Sequence, residues 1–172
     1  MFTFMPIANI HQPDYIQVSD SIRLRKFDGE FDFAYSWYED PDAMYLMDGE
    51  RVSYPAERVE RMYRYLDDHG ELYFIEVLEG KRYIPIGDVT IWQQDMPIII
   101  GEPAYRGRGI GKIVVAALVQ RGRDLGYAEL FVNEIFDYNE GSRRCFEANG
   151  FRPWKKTEKG SRYRLPLTGD TI

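Results

Sequence analysis

Residues 98–112 hold the side chains and backbone of this chain best suited to chemistry. Ile98, Ile99 and Ile100 lead into Gly101 and Glu102, and then into a loop with glycine at 107, 109 and 111. Without a Cβ, those glycines let several consecutive N–H groups crowd against one bulky anion. Arg106, Arg108 and Lys112 bring positive charge to the same place. The apolar run from Ile113 to Val119 then predicts a helix apolar on most faces, hence buried, with its positive dipole end at the loop. Strand, tight loop and helix in that order read as a phosphate site. A Walker-type loop requires Gly-Lys-Ser/Thr with a glycine five positions earlier; here Gly111-Lys112 is followed by Ile113 and preceded at that distance by Arg106. A dinucleotide fingerprint requires G-x-G-x-x-G and an acidic residue about 20 positions on. Gly107-x-Gly109-x-Gly111 breaks that spacing, and Glu129 opens a strand rather than closing one.

A glycine-rich turn also fits a plain tight connection, and a second motif weighs against that. After Gly126 comes an apolar strand, Glu129 to Phe136, and then Asn139-x-x-Ser142-x-x-x-Phe146-x-x-x-Gly150-Phe151. Asn139 suits a helix N-cap, Gly150 the position just past a helix end, and Phe151 the start of an extended segment. Together with Arg106-x-x-Gly109-x-Gly111, this pattern resembles the GCN5-related N-acetyltransferase superfamily, over residues 20–167.

The resemblance implies an α/β (α+β mixed) fold: a mixed central sheet of about 6–7 strands, splayed between its fourth and fifth strands and flanked by about 4 helices. It implies acetyl-coenzyme A as co-substrate, with the pyrophosphate on Arg106, Gly107, Arg108, Gly109, Ile110, Gly111 and Lys112. The thioester would lie beside Ile98, Ile99 and Ile100, and the pantetheine arm near Asn139, Ser142 and Phe146. Many relatives carry a tyrosine where Phe146 stands, to protonate the leaving sulfur. Phe146 cannot donate, so its implied role is contact. That leaves Tyr138, water or the protonated product as the acid, or an unassisted thiolate, whose conjugate acid titrates near ~8.5.

Acetyl transfer to an amine needs a neutral nitrogen, and free alkylamines titrate near ~10.4. A carboxylate near the thioester would take the proton. Glu102, at the end of the thioester strand, is the first candidate; Asp88, on the preceding strand, is the second, provided its side chain faces the acceptor. A backbone N–H around Ile98 to Ile100 would stabilise the oxyanion, and a β-bulge, frequent in relatives, would free such a donor. The expected reaction is direct attack in a ternary complex by a primary amine, that of a small cationic molecule. Alternatives are an acetyltransferase for protein N-termini, resembling those of ribosomal proteins, and a non-catalytic acetyl-coenzyme A sensor. No metal is assigned. By analogy with the family, a homodimer paired through C-terminal strand edges is an open expectation.

Elements must position these groups. A chain of 172 residues, 44% apolar and 29% charged, predicts a single N-acetyltransferase domain over 1–172, with an irregular N-terminal arm over 1–20. The lone Cys145 excludes an internal disulfide and suits a core position in a reducing compartment. Pro6, Asn9 and His11 interrupt the N-terminus, no basic residue precedes it, and no apolar run is long enough to span a bilayer, so no membrane and a cytoplasmic location are expected. Residues 1–80 carry 7 Lys/Arg against 17 Asp/Glu, and residues 81–172 carry 15 against 11. A basic second half suits an anionic co-substrate, and an acidic, aromatic first half suits a cationic acceptor; overall negative charge argues against nucleic acid.

The predicted order begins with a strand at 22–27, a helix ending before Pro41, a short helical piece at 44–47 and a helix from Pro55 to Asp68. Strands at 72–78, 83–93 and 98–102 follow, then the loop helix to Gly126, a strand at 129–136, a helix at 139–149 and strands at 151–155 and 161–167.

Overall fold

The structure is a computed structural model and describes residues 10–167, so the first nine residues of the expected arm lie outside the described residues. Within the arm, β1 (Tyr15–Gln17) pairs antiparallel with β2 (Ile22–Lys26), setting Ile16 opposite Leu24. The expected irregular segment is therefore a short edge strand, because Ile16 and Val18 reach the apolar core. A 3-10 helix, Asp32–Tyr38, replaces the helix expected before Pro41. Pro41 opens a helix rather than only ending one: α1 (Pro41–Asp48) is capped by Asp40, whose side chain accepts from the Asp42 and Ala43 N–H groups. The remaining elements are α2 (Ala56–His69), β3 (Glu71–Glu79), β4 (Arg82–Ile91), β5 (Ile98–Ile100), a single 3-10 turn (Pro103–Tyr105), α3 (Ile110–Asp124), β6 (Glu129–Phe136), α4 (Glu140–Ala148), β7 (Arg152–Lys156) and β8 (Gly160–Pro166).

The strands form a 5-stranded sheet ordered β1-β2-β3-β4-β5 and a 3-stranded sheet ordered β6-β8-β7, antiparallel at every pairing. The expected single mixed sheet is thus two antiparallel ones, and the break falls where the splay was expected, between the strands at 98–100 and 129–136. One end of the break is fastened: Phe131 N–H donates to the Gln93 carbonyl at 3.2 Å, and Asn133 N–H to Asp95 Oδ1 at 2.9 Å.

Alternation along β3 sends its side chains into two cores. Tyr73, Ile75 and Val77 join Val114, Leu118, Val132 and Phe146 beneath α3 and α4. Leu72 and Phe74 join Trp37, Tyr38, Met44, Val59 and Tyr63 beneath the 3-10 helix, α1 and α2. The apolar run opening α3 is less enclosed than its composition predicts. Val114, Val115 and Leu118 are buried while Ile113 is 37% exposed, since a single helix on a sheet buries one face. Among the described residues no helix is long and apolar enough to cross a membrane.

Candidate active site

β5 has one paired edge and one open edge. Thr90 N–H donates to the Pro97 carbonyl and Gly101 N–H to the Ile86 carbonyl, which makes Asp88 and Ile99 a hydrogen-bonded pair by antiparallel alternation. The same alternation turns the N–H and C=O groups of Ile98 and Ile100 away from β4, toward the split. Their side chains pack on the core beneath α3, whereas Ile99 points into the other core. Immediately after β5, the N–H groups of both Gly101 and Glu102 donate to the single carbonyl of Ile86, at 2.7 and 3.0 Å. Two residues against one make a β-bulge, which ends the strand pairing and re-aims Glu102.

The bulge also seats an indole. A Cβ on Gly101 would come within 2.1 Å of the Trp37 ring, so only glycine fits there. Trp37 Nε1–H donates to Glu102 Oε1 at 2.8 Å, and Glu102 remains partly exposed. Asp88 sits differently. It is 2% exposed, and its Oδ2 accepts from the hydroxyls of Tyr38 at 2.6 Å and Tyr63 at 2.7 Å. Burial pushes its carboxyl up to about 6, against the pull of the two hydroxyl hydrogen bonds. The second candidate base, proposed on condition that its side chain faces the acceptor, is closed off between two tyrosines.

In the loop, Gly107 and Gly109 have φ of +73° and +77°, and a Cβ on either would meet no atom within 4 Å. Those conformations favour glycine, and the space in front of them is open. Gly109 is the N-cap of α3 and has no side chain to satisfy the first-turn N–H groups, which helix geometry leaves without partners. Ile110 begins the helix and is buried, and Lys112 is exposed. A Cβ on Gly111 would lie 3.4 Å from Cys145 Sγ and 4.0 Å from Ile98 Cδ1, so Gly111 packs α3 on α4 and β5. Burial raises the Cys145 thiol to about 11, in keeping with a packing role.

Arg106, expected on the pyrophosphate, makes three contacts within the chain. Its Nε donates to the Ile100 carbonyl at 2.7 Å, one terminal nitrogen to the Gly101 carbonyl at 3.2 Å, and the other to Asp40 at 3.3 Å. The guanidinium latches the loop to β5 and to the cap of α1, leaving Arg108, stacked on Tyr105 at 5.1 Å, and Lys112 as the exposed loop cations without an ion pair among the described residues.

Across the split, Asn139 caps α4 by accepting from Ser142 N–H at 3.2 Å, and its amide donates to the Leu46 carbonyl at 3.1 Å. Tyr138 donates to the Tyr45 carbonyl at 3.0 Å and stacks on the Tyr45 ring, centroids 4.6 Å apart. α1 therefore reaches from Arg106 on one side of the split to α4 on the other. Phe146 is 1% exposed and meets Phe151 edge-on, so it fills the core instead of facing the split. The sequence reading missed Trp37, Tyr38 and Tyr63 as partners of the two carboxylates. The aromatic richness of residues 31–38 marked a wall, but no local signal pairs Trp37 with Glu102, 65 positions away.

A split α/β fold with a glycine loop opening a helix at the split defines the class, an acetyltransferase. The profile of the Acetyltransferase (GNAT) family matches residues 31–151, and the chain belongs to that family. A domain from Methanocaldococcus jannaschii is 21% identical, with a TM-score of 0.76 over 86% of this chain and 100% of that one. An acetyltransferase (GNAT family) from Bacillus anthracis is 16% identical, with a TM-score of 0.70 over 87% of this chain and 95% of that one. The aminoglycoside acetyltransferase AAC(6')-Ib, in complex with coenzyme A, is 16% identical, with a TM-score of 0.68 over 86% of this chain and 95% of that one. At these identities the likeness is one of fold. No curated protein sequence matches the chain.

Proposed function

We propose that this protein transfers an acetyl group from acetyl-coenzyme A to a primary amine of a small cationic molecule, by direct attack in a ternary complex. Acetyl-coenzyme A supplies the activated thioester. The loop fits its pyrophosphate: open space before Gly107 and Gly109, first-turn N–H groups of α3 left for a ligand, and exposed Arg108 and Lys112. The N–H groups of Ile98 and Ile100, turned toward the split, would donate to the oxyanion. The observation that carries the reading is the placement of Glu102: a partly exposed carboxylate at the bulge that ends β5, oriented by Trp37. Glu102 takes the ammonium proton, directly or through water; the amine attacks the acetyl carbon and the C–S bond breaks; the proton still on the attacking nitrogen passes to the departing sulfur or to water, so that a neutral amide and coenzyme A, as thiol or thiolate, are released. With Tyr138 donating to Tyr45 and Phe146 buried, no side-chain acid is assigned to the sulfur.

A cationic acceptor suits the acidic balance of residues 1–80, in which Asp42 and Asp48 of α1 already pair with Arg51 and Arg58 and those arginines lie over the Tyr45 and Tyr54 rings. The aminoglycoside acetyltransferase of the same fold supports that substrate class. Coenzyme A thiol release, followed over aminoglycosides, streptothricin, polyamines and short peptides, tests the reading. Release with a polycation is the expected result, lost in Glu102→Gln while coenzyme A still binds. Release with peptides alone would move the assignment to protein N-termini. Coenzyme A binding with no release across the panel would overturn the enzyme reading in favour of a sensor.

A further inference from the structure

Asp88 on β4 is a carboxylate that the proposed chemistry leaves unused, and unlike Glu71 and Glu76 on β3, which pair with arginines, it is enclosed with no ion pair among the described residues. Its single oxygen Oδ2 holds Tyr38, the last residue of the 3-10 helix, and Tyr63, in the middle of α2. From the other packed elements it faces Phe74 on β3 and Ile99 on β5, both apolar, and among the described residues its side-chain hydrogen bonds run to the tyrosines alone. Tyr38 follows Trp37 directly in the chain. Trp37 lies against Gly101, where a Cβ would intrude to 2.1 Å, and donates to Glu102 at 2.8 Å. One turn of 3-10 helix is thus pinned at adjacent residues, by Tyr38 to a buried carboxylate and by Trp37 to the exposed one.

We infer that Asp88 is a positioning residue: through Tyr38 it fixes the indole of Trp37 and thereby the Glu102 carboxylate that accepts the amine proton. The placement, though not its catalytic consequence, is independent of which amine is acetylated; the consequence rests on the function proposed above. Tyr63 supplies an internal control. Its hydroxyl makes the same bond to the same oxygen from α2, which does not carry Trp37, and Tyr63→Phe keeps the ring that meets Tyr38 edge-on at 6.1 Å, so losing the hydroxyl loosens α2 without releasing the indole.

The experiment compares Tyr38→Phe, Tyr63→Phe and Glu102→Gln in two measurements. In 1H–15N spectra the Trp37 indole resonance, assigned by its loss in Trp37→Phe, should move in Tyr38→Phe and Glu102→Gln and stay in place in Tyr63→Phe. With an acceptor that supports turnover, Tyr38→Phe should lower kcat by roughly tenfold or more, with coenzyme A affinity unchanged. Trp37→Phe combined with Tyr38→Phe should cost little more than the larger single change, because both break one chain of contacts. An unmoved indole in Tyr38→Phe, equal effects of the two tyrosine changes, or additive losses would each overturn the inference. Full turnover in Glu102→Gln with the indole behaving as expected would instead overturn the proposed role of Glu102 and leave the placement standing.

Discussion

A carboxylate enclosed without a cation is held in its charged form only by hydroxyl donors, and Asp88 shows the energetic result. Its folded value, about 6, exceeds the ordinary 3.8 because burial disfavours the charge more than Tyr38 and Tyr63 favour it. The folded state therefore binds the proton more tightly than the unfolded one. The stabilisation is complete below the unfolded value and is lost as pH rises through about 6, a difference of about 3 kcal/mol across that window. Urea unfolding between pH 4 and 8 should show the wild type gaining on Asp88→Asn as the pH falls; a constant difference would mean that Asp88 does not titrate there. Arg106 and Lys112 divide in the same way between structure and binding. Arg106→Ala removes the latch on Ile100, Gly101 and Asp40 and should lower Tm. Lys112→Ala should leave Tm in place and weaken coenzyme A binding roughly tenfold, with less effect at high salt, as calorimetry would read. The three positive charges of the loop were legible as residues. Their division of labour was not, because it depends on carbonyls and a helix cap brought near by folding.

The glycines of the loop do unlike work. Gly109 has φ of +77° and caps α3, so Gly109→Ala should cost about 1–2 kcal/mol in thermal or urea unfolding and weaken coenzyme A binding as well. Gly111 lies inside α3 with φ outside the left-handed region, and its missing Cβ faces Cys145 at ordinary contact distance. Gly111→Ala should therefore keep or slightly raise Tm, since alanine is the better helix former. The pattern 107, 109, 111 marked the loop between strand and helix in advance, and Gly126, Asn139 and Gly150 marked the bounds of β6 and α4, because caps and glycine stops are local signals. Pro41 was read as a stop alone. The acceptance of Asp42 and Ala43 N–H groups by Asp40 shows the start it also makes, and that cap is equally local. The bulge at Gly101 and Glu102 was beyond reach of the sequence, since it needs the Ile86 carbonyl across the pair.

Taken whole, the molecule is two antiparallel sheets sharing a core beneath α3 and α4, with a second core beneath the 3-10 helix, α1 and α2. The place of the split followed from the motif resemblance; its fastening did not, for nothing in Gln93 or Asp95 announces a bond to β6. Asp95 accepts from the Asn133 and Met96 N–H groups, and burial raises its carboxyl even so. Asp95→Ala should cost about 1–3 kcal/mol and hasten amide exchange at Asn133, as hydrogen-exchange measurements would show.

At the other end of the split, α1 is held to α4 by Tyr138 on the Tyr45 carbonyl, Asn139 on the Leu46 carbonyl and the Tyr45–Tyr138 stack. Tyr138 and Asn139 are consecutive, so these contacts act as one clasp between α1 and the start of α4. Opening this end of the split then requires two hydrogen bonds and one pair of rings to part together, where the far end would have to lose only two bonds to backbone N–H groups.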